Sequence, residues 1–164
     1  MPIIIQWVDS CSGAEDIIKV YTPAGSLVLQ SRQGVINNAD WASTDGVYSQ
    51  GYDIQRQFQH YWSNPDNPIH LKLLRQGSAF RQRVWAELCK IPIGSTLTYS
   101  ALAKKIDSSA RAVGNACRDN PYPMIIPCHR VVSISGMGGY CGHTTGDFMT
   151  IKAQLLDYEA DYKQ

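Results

Sequence analysis

Residues 98–118 read TYSALAKKIDSSARAVGNACR. Thr98 can cap a short helix carrying Leu102, Ala103 and Ile106. Asp107-Ser108-Ser109 then turns the chain and caps a second helix from Ala110 to about Arg118. Two short helices joined by about three polar residues predict a helix-turn-helix. On the second helix Ala112, Val113, Ala116 and Cys117 form an apolar face. Arg111, Gly114, Asn115 and Arg118, spaced i, i+3, i+4 and i+7, line the opposite face. Glycine weakens a helix, so Gly114 calls for close approach of another surface, either DNA or a packed strand.

Upstream, Ser78 is a good N-cap for a helix with Phe80, Val84, Trp85 and Leu88 on one stripe, ended by Ile91-Pro92-Ile93-Gly94. Asn64-Pro65-Asp66-Asn67-Pro68 is the best linker in the chain. It divides a β-rich N-terminal domain, residues 1–67, from a second domain, residues 68–164. In the first, residues 17–22 and 26–31 flank Pro23-Ala24-Gly25 as a hairpin. Residues 3–8 supply a partner strand, and a short helix from Asp53 to Trp62 carries Ile54, Phe58, Tyr61 and Trp62 on one side. Downstream, Asn120-Pro121 stops the helix that starts at Ala110, and residues 124–132 read as a buried strand interrupted by Pro127. A glycine-rich loop from Ser135 to Gly146 and a last helix over about 147–160 follow. The fold class is α/β (α+β): a small antiparallel sheet with a helix, then a mostly helical domain.

Composition fits a soluble globular protein, with 44% hydrophobic and 18% charged residues in 164. No apolar stretch is long enough to span a bilayer, and no basic segment leads into an apolar core as a secretory signal would. Five cysteines, at 11, 89, 117, 128 and 141, leave one unpaired under any disulfide scheme, and no CxxC occurs. These features predict a reduced, cytoplasmic chain without a membrane partner (nuclear if the source is eukaryotic). The net charge is +1, but it is unevenly spread. Residues 70–130 hold ten Lys and Arg against three acids, between two acidic flanks. A basic centre of this kind suits a phosphate-bearing partner.

The chemistry points to Ile126-Pro127-Cys128-His129-Arg130. Cysteine reacts as the thiolate, and a neighbouring imidazole can generate it. On a regular strand Cys128 and His129 point to opposite faces, so contact between them needs a bridging water or a twist at Pro127. A zinc site from Cys128, His129, Cys141 and His143 has an unusual spacing, and no metal or cofactor is expected. A helix-turn-helix regulator could use Arg111 and Arg118 but gives no reason for Pro127-Cys128-His129.

Taken in order, Phe80-x4-Trp85-x2-Leu88-x2-Ile91-Pro92-x-Gly94, Thr98-Tyr99-x2-Leu102-Ala103, Ala110-Arg111-Ala112-Val113-Gly114, Asn120-Pro121 and Ile126-Pro127-Cys128-His129-Arg130-Val131 resemble the O6-alkylguanine-DNA alkyltransferases. The resemblance covers about residues 78–140. It implies that Cys128 accepts the alkyl group irreversibly from O6-alkylguanine in double-stranded DNA. It further implies that His129 deprotonates Cys128 through a water, that Glu159 orients His129, and that Asn120 ties the recognition-helix turn to the acceptor segment. Arg111 then enters the base stack, Tyr99 assists nucleotide rotation, and Gly114 marks the closest backbone approach. Tyr140, Pro123 and Lys152 belong to the substrate pocket, and the N-terminal domain is of ribonuclease-H-like type. The protein is expected to act once, as a monomer. Its departure from the family is a longer stretch between Tyr140 and Glu159, which predicts an altered pocket rim. A lesion binder of the alkyltransferase-like kind would lack the acceptor cysteine.

Overall fold

Alternating apolar residues make Glu15–Thr22 (β2) and Gly25–Arg32 (β3) pair as the expected antiparallel hairpin, with Thr22 opposite Gly25 across Pro23-Ala24. The turn is possible because Gly25 takes a φ of 117°, a conformation that costs glycine little. The computed structural model describes residues 3–41, 46 and 48–163. They fall into two units, one running to Gln76 and the other starting at Gly77.

The first unit is a five-stranded sheet in the order β1-β5-β4-β3-β2. Ile3–Val8 (β1), Val35–Trp41 (β4) and Ile69–Leu74 (β5) complete it around the hairpin. Two expectations change here. Residues 3–8 do form a strand, but it pairs in parallel with β5, at the opposite edge from β2. The division falls after Gln76 instead of within 64–68, because β5 follows that linker and joins the first sheet. Inward-facing Ile18, Val20, Leu27, Leu29, Ile69, Leu71 and Leu73 are buried. Tyr52–Ser63 (α1) packs on β2 and β5 and buries Phe58 and Tyr61.

The second unit begins with Ala79–Leu88 (α2), capped as expected by the Ser78 hydroxyl, which accepts from Arg81 N. Leu97–Thr98 (β6) leads directly into Tyr99–Lys105 (α3), where the Thr98 hydroxyl accepts from Ala101 N. Ala110–Arg118 (α4) follows a turn that Asp107 makes at φ 54°, with Ser109 accepting from Ala112 N. Val113, Ala116 and Cys117 are buried, whereas Arg111, Asn115 and Arg118 are exposed. The indole of the buried Trp85 on α2 donates to Ala116 O at 2.9 Å, and Arg83 donates to Ile106 O at 2.8 Å. These bonds fix α3 and α4 from behind.

The expected strand over 124–132 does not form. Met124 has a positive φ of 75°, and Pro127 sits at ψ 64°. The chain instead turns, with Ile126 N donating to Tyr122 O, and continues as a 3-10 turn over Cys128–Arg130. Only Val131–Val132 (β7) is extended, and it pairs in parallel with β6. That short ladder brings the Cys128–Arg130 turn beside the start of α3. Asp147–Lys163 (α5) closes the unit. Among the described residues no helix is long and apolar enough to cross a membrane.

Candidate active site

A 3-10 turn spaces successive side chains about a third of a revolution apart, so Cys128 and His129 diverge here as they would on a strand. Cys128 is 4% exposed and His129 fully buried. Burial pushes the Cys128 thiol above its ordinary value, opposed by a hydrogen bond from Asn120 and by the charge of Lys152. Burial also holds the His129 imidazole below its usual range, although Glu159 favours the charged form. The resting pair is therefore a neutral thiol beside a neutral imidazole.

Glu159 lies on α5 and is 1% exposed, although a lone glutamate on a terminal helix is ordinarily solvated. His129 Nε2 lies 3.0 Å from Glu159 Oε2. Arg130 binds the same carboxylate twice, through Nε to Oε1 and Nη2 to Oε2, each at 2.8 Å. Its Nη1 donates to Ile91 O at 2.7 Å. Burial alone would raise the Glu159 carboxyl; the bonds and charges of Arg130 and His129 outweigh it and bring its pKa down to about 2. An ionised Glu159 accepts the Nε2 proton and so leaves Nδ1 as the basic nitrogen of neutral His129. Nδ1 is buried and has no hydrogen-bond partner among the described residues. Sequence reasoning had no separate role for Arg130; its signal was a guanidinium adjacent to a buried imidazole, which needs a buried anion.

Asn120 joins the end of α4 to the segment leading into the Cys128 turn: its Nδ2 donates to Ile126 O at 2.9 Å, and its Oδ1 accepts from Tyr122 N at 2.9 Å. Cys128 opens onto a cavity of about 250 Å³. Tyr99 and Cys117 flank the thiol side, Gly114, Asn115 and Arg118 of α4 form one wall, and Gly139 to Thr144 form the other. Burial, with the Cys117 and Cys128 thiols nearby, pushes the Tyr99 phenol up to about 12, so it keeps its proton. Tyr140 is a buried wall residue. Cys141, Gly142, His143 and Thr144 belong to the longer stretch after Tyr140 that was expected to alter the pocket rim, whereas Cys117 was expected only on the apolar face of its helix.

Two residues expected in the pocket, Pro123 and Lys152, are not among the residues lining this cavity. Pro123 is buried and bridges to Ile126. Lys152 is fully buried, and its ammonium donates to Val131 O, Met137 O and Gly139 O at 2.7, 2.5 and 2.9 Å. Its three hydrogen bonds thus staple β7 and the loop after it to α5. Burial lowers its pKa to about 8, against the raising influence of the thiols of Cys128, Cys117 and Cys141.

Gly114 decides between the two explanations offered for it. A Cβ built there meets nothing within 4 Å among the described residues. Among the described residues no strand packs on it, which leaves close approach of DNA as the explanation offered for this glycine. Among the described residues no group of three or more His, Cys, Asp or Glu converges as metal ligands do.

Residues 79–161 match the family described as 6-O-methylguanine DNA methyltransferase, DNA binding domain. The methylated-DNA–protein-cysteine methyltransferase of Archaeoglobus fulgidus is 37% identical over 122 residues, covering 73% of this chain and 78% of that one. The constitutive methylated-DNA–protein-cysteine methyltransferase of Bacillus subtilis is 32% identical over 87% of this chain and 94% of its own. Among solved structures, Mycobacterium tuberculosis OGT in complex with DNA superposes with a TM-score of 0.73 at 31% identity, over 89% of this chain and 93% of that one.

Proposed function

The chain belongs to the 6-O-methylguanine DNA methyltransferase family and repairs DNA by moving an alkyl group onto a cysteine of its own, and we propose that this cysteine is Cys128, acting on O6-alkylguanine rotated out of the duplex. The observation that carries the assignment is the buried His129, held through Nε2 by Glu159 with Nδ1 left basic. A water between Nδ1 and Sγ takes the thiol proton to the imidazole. The thiolate then attacks the alkyl carbon in line with its bond to O6. The S–C bond forms as the C–O6 bond breaks, its electron pair goes to O6, and the guanine recovers a proton. The relay has the logic of a hydrolytic triad. Its thioether product is not hydrolysed under mild conditions, so each molecule acts once.

The target carbon is inaccessible inside stacked DNA, so the nucleotide must leave the duplex. Arg111, Asn115 and Arg118 are exposed on the face of α4 that carries Gly114, which supports reading α3 and α4 as a helix-turn-helix applied to DNA. The open space over Gly114 suits close approach of a sugar–phosphate backbone. Arg111 fills the gap left in the stack, and Tyr99, protonated at neutral pH, donates a hydrogen bond to the departing guanine. The minor groove carries a degenerate code, which suits a lesion that occurs in any sequence. The first unit serves as a ribonuclease-H-like companion, and the protein works as a cytoplasmic monomer.

Intact and peptide mass spectrometry after mixing with a short duplex containing O6-methylguanine tests the assignment. One added methyl on Cys128, with guanine restored and no second turnover, is the expected result. Tight binding without a mass change would make the site a lesion binder and overturn the acceptor role.

A further inference from the structure

The stretch from Cys141 to Phe148 takes no part in the relay, yet its first four residues, Cys141 to Thr144, line the cavity. Its backbone reverses at Cys141 and Gly142, with φ values of 51° and 82°. Tyr140 N donates to His143 O at 2.8 Å, and His143 N donates to Tyr140 O at 2.9 Å. Two positive-φ residues inside such a reciprocal pair make a two-residue hairpin, which leaves little freedom of register. Beyond the turn, the His143 ring lies flat on Phe148, with centroids 4.4 Å apart and planes within 5°. Phe148 stands on the first turn of α5, so the hairpin is braced by its own ladder and by the helix. On the other side, a Cβ at Gly142 would come within 3.1 Å of the Arg118 stem. The mouth of the cavity thus lies between α4 and a fixed lip.

The two ends of the cavity differ. Cys128 is buried at its floor, whereas Gly142, His143 and Thr144 are exposed at its rim. With the O6 edge of a guanine at the floor, the rim faces the outer edge of that base, the rest of its nucleotide and the entrance it came through. An aromatic face beside a guanidinium is a recurrent way to hold an unstacked nucleotide. We infer that this lip, with His143 as the contacting residue and Phe148 as its brace, retains the extruded nucleotide and so favours damaged over undamaged DNA once extrusion has occurred. The inference rests on reading the cavity as the guanine pocket. It makes the extra length of this loop a specificity device, and it makes His143 a DNA-contacting residue outside α4.

The test uses the full chain carrying Cys128→Ser, so that transfer does not interfere. Affinities are measured for two duplexes that differ only in O6-methylguanine against guanine. His143→Ala and Phe148→Ala are each expected to weaken binding of the damaged duplex about tenfold, the order for one lost aromatic contact to a base. Binding of the undamaged duplex, which needs only the α4 face, should not change. His143→Phe keeps an aromatic surface and should restore most of the loss, which a merely misfolded loop would not allow. Equal losses on both duplexes, or no loss on either, would overturn the lip. A wild-type chain that fails to methylate itself overturns the parent reading instead, whereas one that transfers normally while His143→Ala binds the lesion unchanged removes the lip alone.

Discussion

Replacing Glu159 by Gln tests the electrostatic centre of the site. The substitution keeps the shape and one acceptor oxygen but removes the charge that Arg130 binds through two nitrogens and that faces His129 Nε2. The carboxyl titrates near 4.5 in an unfolded chain and at about 2 in the folded one. At 1.36 kcal/mol per pH unit, this difference corresponds to about 3 kcal/mol at neutral pH. The cost of breaking a buried ion pair, about 3–5 kcal/mol, is consistent with it. For a chain of this length the loss lowers the melting temperature by roughly 10 °C. Because the folded pKa is depressed, the contribution is complete above about pH 5 and is lost as pH falls through about 2. Calorimetric or urea unfolding of wild type and variant from pH 7 to pH 2 should show a gap that closes on acidification. Alkyl transfer under single-turnover conditions should fall by about 10²–10⁴, the range for losing a positioned acid–base partner. A variant within 1 kcal/mol of wild type at pH 7, or a gap that persists at pH 2, would refute the assignment of Glu159 as a buried, ionised partner.

Gly114→Ala has opposite expected effects on stability and binding. The site is open and helical, so stability should rise by somewhat under about 1 kcal/mol while affinity for duplex DNA drops; unchanged affinity would remove Gly114 from the interface. Arg118→Ala should lower the slope of log affinity against log salt by about 1, as expected for one lost phosphate contact, in a fluorescence anisotropy titration; an unaltered slope assigns Arg118 another role. Burial keeps His129 neutral below the ordinary imidazole range, so single-turnover transfer should hold level as pH falls through 6.5 and decline only below it. A half-maximal rate at or above pH 6.5 would contradict a desolvated base.

Local chemistry made the second unit largely legible before any coordinates. Ser78, Thr98 and Ser109 each cap the helix assigned to them, because an N-cap is decided by a side chain and a backbone amide three residues away. The polar and apolar faces of α4 follow from helical spacing alone. The sheet was less legible: β4 contains Asn37-Asn38, which have poor strand propensity, and pairing with β3 on one side and β5 on the other makes it a strand. β5 alternates clearly as Ile69-His70-Leu71-Lys72-Leu73, but its position beyond a proline-rich linker drew it to the wrong side of the boundary. Residues 124–130 were apolar enough for a strand, yet hydrophobicity does not record the positive φ at Met124 or the turn at Pro127. At the site, adjacency in sequence pointed to Cys128 and His129, and family resemblance to Glu159. The partners of Arg130 and Lys152 are set by α5 returning to the acceptor turn, which no local pattern encodes.

Arg130, Glu159 and the carbonyl of Ile91 form a closed knot across three segments distant in sequence. Within it, a single replacement strands a buried charge, at a cost of about 3–5 kcal/mol. The hairpin from Cys141 to Gly146 hangs outside the knot on the exposed side, where added residues cost only slowly growing loop entropy. A change in the length of the lip therefore disturbs the fold far less than a change in the ion-paired machinery beneath it.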